Sequence, residues 1–168
     1  MPGRIDGVAL LDPLGSVADG GATAMATTLA ARLLPQNRQR AAEVAQAIAD
    51  GDHSNELGTE LVALHWPGYF AQPELAPPPP AGLLLNLTCN SETMASVFGE
   101  LDSGFGDRLA GCEVPVELVV GQCSPIPFAV SEQTAELLPR AQLTILPDAG
   151  HLPWHERPGC VRAALARL

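Results

Sequence analysis

The stretch from residue 114 to residue 146 constrains this chain most, because its pattern admits little besides strand, helix, strand. VPVELVVG (114–121) is a valine-rich run closed by Gly121, a short helical segment spans 130–138, and QLTIL (142–146) is a second apolar run. Runs that are apolar on both faces suit strands covered by helices on either side. Two strands joined by a helical crossover are parallel, and such connections are right-handed. A third run, IDGVALL (5–11), ends at Asp12-Pro13 and reads as another buried parallel strand. A last helix, CVRAALARL (160–168), places Val161, Leu165 and Leu168 on one face. The expected class is therefore α/β, with a short parallel sheet of about three strands and flanking helices.

Between the first strand and the others the chain changes character. ATAMATTLAARLL stops at Pro35, NRQRAAEVAQAIAD stops at Gly51, and SNELGTELVALHW runs from a candidate cap, Ser54, to Pro67. Apolar residues recur at three- and four-residue steps (Ala41, Val44, Ala45, Ile48; then Leu57, Leu61, Leu64), which predicts short amphipathic helices. The run Pro77 to Pro80 is extended and stiff. AGLLLNLTCN is apolar again, and SETMASVFGELDSGF reads as a helix capped by Ser91.

With 46% hydrophobic and 17% charged residues, the 168-residue chain has the composition of a globular domain. Its net charge is −10, arginine supplies every cation besides histidine, and there is no basic run. Nucleic acid and anionic membrane are not expected partners of such a surface. No apolar run reaches the roughly 18 residues of a membrane span, and the first residues do not read as a signal peptide. Cys89, Cys112, Cys123 and Cys160 are scattered, with no CxxC, so reduced thiols in a cytoplasmic protein are expected. No metal or cofactor motif is visible.

One residue stands where chemistry is done. His151, in Ala149-Gly150-His151, follows the QLTIL strand. The C-terminal ends of parallel strands are where open α/β sheets bind ligands, and imidazole is the side chain suited to shuttling protons near neutral pH. An isolated Gly-His pair is more often an ordinary turn. The strand–helix–strand before it places His151 at a strand's C-terminal end; the reading as a proton-transfer position comes with the resemblance described next, in which Trp154-His155-Glu156-Arg157-Pro158 matches the segment that follows the histidine.

From Val114 onward the sequence resembles the end of an α/β-hydrolase: a VPV strand ending in glycine, a turn, a helix, a strand and a Gly-His turn before a final helix. Pro2-Gly3-Arg4-Ile5 with Val8-Ala9-Leu10-Leu11-Asp12-Pro13 resembles the strand that follows the nucleophile-bearing helix, and the helical region with WPGYF (66–70) resembles the lid of proline-iminopeptidase-like and related hydrolases. The resemblance implies a partial α/β-hydrolase fold: a core strand in 1–15, a helical lid in 16–81 and a C-terminal α/β core in 82–168. It also implies ester or amide hydrolysis by a serine, a histidine and an acid, with His151 as the histidine and a small molecule as substrate.

The acid has two candidate places. The turn after VPVELVVG commonly carries aspartate where this chain has Ser124, and a hydroxyl cannot supply the charge. Some members place the acid after the preceding core strand, where Asp12 stands; Asp12-Pro13 also reads simply as a strand-ending turn. Asp148 is expected to shape its loop, and Glu156 to cap or pair with the last helix. None of the serines has glycines at both minus two and plus two, so the Gly-x-Ser-x-Gly elbow is absent, and Cys123 occupies the acid's place. The chain is thus expected to be a truncated form, inactive alone. A non-catalytic remnant, or a binding protein that self-associates through the open edge of strand 5–11, is the competing expectation. Trp66, Tyr69 and Phe70 are candidates for the rim of a substrate pocket, with packing in the core as their blander role.

Overall fold

The computed structural model describes residues 5–168. Pro2, Gly3 and Arg4, which open the resemblance at the first strand, lie outside the described residues. Strands β1 (Val8–Leu11), β2 (Val116–Gly121) and β3 (Ala141–Leu146) form one parallel sheet in that order. Val8 pairs with Val116, Val116 with Ala141 and Gly121 with Leu146. The class expected from the hydrophobic runs, α/β with three parallel strands and flanking helices, is the one observed. β1 is shorter than the apolar run 5–11, and Ile5 is 61% exposed. The β1–β2 ladder opens with Val8 N–H donating to Pro115 O at 2.9 Å. Pro115 has no N–H with which to bond the preceding β1 carbonyl, so pairing cannot extend further back.

Every residue of β2 is buried. On one face Val116 and Leu118 pack with Leu138 and Ala135 at the end of helix α6 (Phe128–Leu137), joined by Val8, Leu10 and Leu143 from the neighbouring strands. Helix α8 (Cys160–Leu165) packs against β1 and β2. It stops three residues before the expected end and buries Ala164 rather than Leu165, which is 58% exposed. Within the apolar run of β2 sits a carboxylate, Glu117, whose side chain is 2% exposed. Arg167 Nε donates to it at 2.8 Å and Arg167 Nη2 to Thr144 Oγ1 at 3.2 Å. Arg167→Ala is expected to destabilise the protein by about 1–3 kcal/mol, less than the roughly 3–5 kcal/mol for stranding a fully buried charge, because the arginine itself is partly in water. Urea unfolding checks this, and adding Glu117→Gln should return part of the loss. An unchanged midpoint in Arg167→Ala would remove the pair from the stability argument.

Helices α1 (Ala22–Ala31), α2 (Arg38–Ala49) and α3 (Asn55–His65), followed by a 3-10 turn at Trp66–Tyr69, lie between β1 and β2 in sequence. Asp19 starts α1 by accepting from Thr23 N–H at 2.9 Å and Gly21 N–H at 3.0 Å, and hydrogen bonding to Thr23 foremost, then to Gly21, holds its carboxyl below the usual range. Helix α4 (Leu87–Asp102) begins four residues before Ser91, because the Asn86 side chain accepts from Cys89 N–H at 2.7 Å and supplies the cap. No residue of α4 is buried. The short helices α5 (Phe105–Leu109) and α7 (Pro153–Glu156) complete the set. Among the described residues no helix is long and apolar enough to cross a membrane.

Candidate active site

The site is assembled where the strands end. Asp12 follows β1 directly, and its N–H still donates to Val119 O at 2.8 Å, so the sheet holds its backbone. Its φ of 46° lies in the left-handed region, which aspartate tolerates better than most side chains, and it turns the chain sharply off the strand. The residue is 3% exposed. Beyond β3, the turn through Asp148 (φ 53°) brings Gly150 and His151 back across the tip of β2. Gly121, the last residue of β2, has no room for a side chain there: a Cβ would overlap the carbonyl oxygens of Ala149 and Gly150. That close crossing carries the turn from β3, over β2, to the end of β1.

His151 Nδ1 then lies 2.7 Å from Asp12 Oδ2. An ionised carboxylate only accepts, so Nδ1 carries the proton and Nε2 keeps the lone pair. This is the tautomer and orientation a histidine general base requires. Of the two readings of Asp12-Pro13, the strand-ending turn and the carboxylate partner of His151, both are present at once.

A segment from the helical region packs on the other side of the imidazole. His151 N–H donates to Tyr69 O at 2.7 Å, and the Tyr69 ring stacks on the imidazole with centroids 5.4 Å apart and planes at 29°. Glu156 does not cap or pair with the last helix, as its position suggested. Its carboxylate turns back and accepts from Gly150 N–H at 2.6 Å and Ala71 N–H at 2.9 Å. Asp148 lies 3.4 Å from Arg157 and stays in its own loop. Ser124 Oγ accepts from Ile126 N–H at 3.0 Å, a local turn bond. Cys123 is held by its backbone, donating to Ala149 O at 2.9 Å and accepting from Arg32 Nη1 at 2.8 Å.

Next to His151 opens a cavity of about 580 Å³. Its walls are mainly apolar (Met25, Leu29, Leu61 and Val62 among them), and Tyr69 and His151 close one side. Of the three aromatic candidates only Tyr69 reaches this cavity; Trp66 and Phe70 are 8% and 2% exposed, and Trp66 Nε1 donates to Pro77 O at 2.8 Å. The sequence reading missed His65, Asn90 and Met94, which also line it. His65 stands four residues after Leu61 on α3, a spacing that places both on one helical face, whereas nothing in the pattern of 82–91 marked Asn90. His65 Nδ1 donates to Leu61 O at 2.9 Å, which leaves its Nε2 as an acceptor. Among the described residues no group of three or more His, Cys, Asp or Glu could hold a metal ion, and the four cysteines are free thiols.

Tyr69 is the only tyrosine, so its ionisation can be followed directly. Burial pushes its phenol above the ordinary 10.0. Absorbance near 295 nm should therefore show one ionisation above that of the urea-unfolded chain. The folded state binds this proton more tightly than the unfolded state. Stability is thus intact below about pH 10 and falls as pH rises through the folded value. A phenol titrating at or below the unfolded value would place Tyr69 in water, off the imidazole.

No protein-family model and no curated protein matches the sequence. Solved structures do. VinJ aligns over 99% of this chain and 57% of its own, with a TM-score of 0.60 at 15% identity. Proline iminopeptidase from Mycobacterium smegmatis aligns over 99% and 57%, with a TM-score of 0.56 at 16% identity. A thermophilic esterase from Thermogutta terrifontis aligns over 98% and 55%, with a TM-score of 0.53 at 19% identity. The chain thus spans a little over half the length of these structures, and at such identities the likeness is one of fold. The parallel three-stranded sheet and its flanking helices have the fold of part of an α/β-hydrolase.

Proposed function

We propose that Asp12 and His151 are the acid and the base of a site that hydrolyses esters or amides of a small, largely apolar molecule. The observation that carries this is the 2.7 Å contact between a buried carboxylate and an imidazole that lines an apolar cavity. In such a site Nε2 removes the proton from an attacking hydroxyl as it adds to the substrate carbonyl, and returns it to the departing alcohol or amine. Water then adds to the acyl intermediate by the same route, which releases the acid. Asp12 holds the ring and stabilises the imidazolium formed in each half. Residues 16–81 act as the lid, and α4 contributes Asn90 and Met94 to the same cavity. The thiol state of the cysteines fits a cytoplasmic setting. The names of two similar structures, an esterase and a proline iminopeptidase, fit the reaction class.

No serine here has the Gly-x-Ser-x-Gly setting. In our reading a segment other than these 168 residues supplies the nucleophile and the oxyanion-hole amides, and the chain alone is inactive. The test compares this chain with the product expressed from the same gene including the DNA before codon 1, using p-nitrophenyl esters of increasing chain length. Turnover by the longer product alone, abolished in His151→Ala, is expected. Turnover indifferent to His151, or none in either form, overturns the proposal.

A second reading is favoured by one observation. Among the described residues β1 pairs only with β2, and the N–H and C=O groups of Ala9 and Leu11 point to the open side. Such an edge recruits another strand, so a non-catalytic, self-associating protein is the alternative. Light scattering that shows a monomer with a cooperative melt rules it out.

A further inference from the structure

We infer that Glu156 is a positioning residue: it locks the segment 69–71 to the histidine turn and thereby sets the imidazole of His151 against Asp12. The inference deepens the proposed function and rests on it for the role of His151, though not for the lock itself.

Three hydrogen bonds lie side by side at this junction. Ala71 N–H donates to Glu156 Oε1 at 2.9 Å, Gly150 N–H donates to Glu156 Oε2 at 2.6 Å, and His151 N–H donates to Tyr69 O at 2.7 Å. One carboxylate therefore bridges two backbones, and its two anchor points flank the direct bond between them. Neither Ala71 N–H nor Gly150 N–H has another acceptor among the described residues. The backbones touch: a Cβ on Gly150 would overlap Tyr69 O and stand 2.8 Å from Phe70 Cα.

The consequence reaches the ring. The imidazole is held on one side by Asp12 and on the other by the stacked ring of Tyr69. Tyr69 keeps that place only while its own backbone stays against Gly150 and His151. The acid at β1 fixes the tautomer; the carboxylate at α7, through Tyr69, fixes the plane. Glu156 touches no part of the cavity beside His151, so it acts through others.

The chemistry of the bridge dictates the variant. Both oxygens of a carboxylate accept, whereas a glutamine offers one acceptor and an NH₂ that opposes the second backbone N–H. Glu156→Gln can keep one bond and must lose the other. Asp is one methylene shorter and reaches only one of the two donors.

The experiment is NMR on the isotopically labelled 168-residue chain. In the unmodified protein the amides of Ala71, Gly150 and His151 should exchange with solvent at a common slow rate, as one opening unit, and the His151 Nδ1 proton should appear at low field. In Glu156→Gln those three amides are expected to exchange roughly tenfold faster or more, the size of effect when a charge-assisted bond is lost. The Nδ1 resonance should broaden or vanish, while β2 amides such as those of Val119 and Val120 keep their rates. Asp12→Asn should shift the Nδ1 signal upfield or remove it, as the charge-assisted bond is lost, and leave Ala71 protected. An unchanged Nδ1 signal in Glu156→Gln, or acceleration confined to one amide, overturns the inference. If Glu156→Gln does not fold, the unmodified chain still decides: Ala71, Gly150 and His151 exchanging independently of one another overturns it. None of these readouts uses turnover, so the hydrolase reading fails by its own assay and this one by its own.

Discussion

Gly150→Ala is expected to cost about 3 kcal/mol of stability and to release Tyr69 from the histidine turn. The added methyl group would overlap the Tyr69 carbonyl oxygen and crowd the Cα and C atoms of Phe70, and all of these are backbone. A flexible side chain could swing aside; a peptide unit held at both ends cannot. Overpacking alone costs about 1–3 kcal/mol. Separation of the two chains would also break the His151 N–H to Tyr69 O bond and strain the Glu156 bridge, each worth about 1 kcal/mol or more. Urea unfolding gives the loss, and the Tyr69 phenol should titrate closer to that of an unfolded chain as its ring gains water. Gly99, inside α4, is the control, because a Cβ there meets nothing within 4 Å. Gly99→Ala should be neutral or stabilising by about 0.5–1 kcal/mol through helix propensity. A Gly150→Ala protein as stable as the parent would show that the two backbones do not touch.

The contrast between these two glycines explains what could be read in advance. In sequence they are alike; only the chain that passes over one of them separates their roles, and that chain lies some 80 positions away. The strand–helix–strand of β2, α6 and β3 was legible because hydrophobic burial on both faces leaves a continuous apolar run. So was the histidine turn, because a strand end fixes where its following residues go. Glu117 was hidden in such a run: its partner, Arg167, is brought near only when the C-terminus folds over β2. Asp12 kept two readings since a turn and a buried acid require the same residue, and the choice depends on how closely Gly121 lets the turn cross. WPGYF marked an aromatic cluster but not its direction. Trp66 and Phe70 went inward and Tyr69 went to the imidazole, a division made by contacts with Pro77 O and with Gly150 rather than by local pattern. Ser124 marked the place where the resemblance implies an acid, without showing that Asp12, at the end of β1, reaches the imidazole.

Asp12→Asn carries the largest expected effect on reaction rate. On the proposed function, kcat of the longer product should fall on the order of 10⁴-fold, the scale known for triads that lose this charge. Two losses combine. An amide oxygen facing Nδ1–H still orients the ring but leaves the imidazolium without its counter-charge, in a place 3% exposed where water does not screen the difference. If the amide NH₂ faces the ring instead, Nδ1 must accept, the proton moves to Nε2, and the nitrogen that should act as base is blocked. Asp12 does not line the cavity, so substrate binding has no direct reason to weaken. The fall should therefore sit in kcat with KM little altered, the pattern of an interaction made in the transition state and not in the ground state. His151→Ala should reach a similar floor, and the double variant should fall no further, because each residue works only through the other. Additive losses in the double variant, or a fall confined to KM, would mean that the carboxylate and the imidazole do not act as one unit.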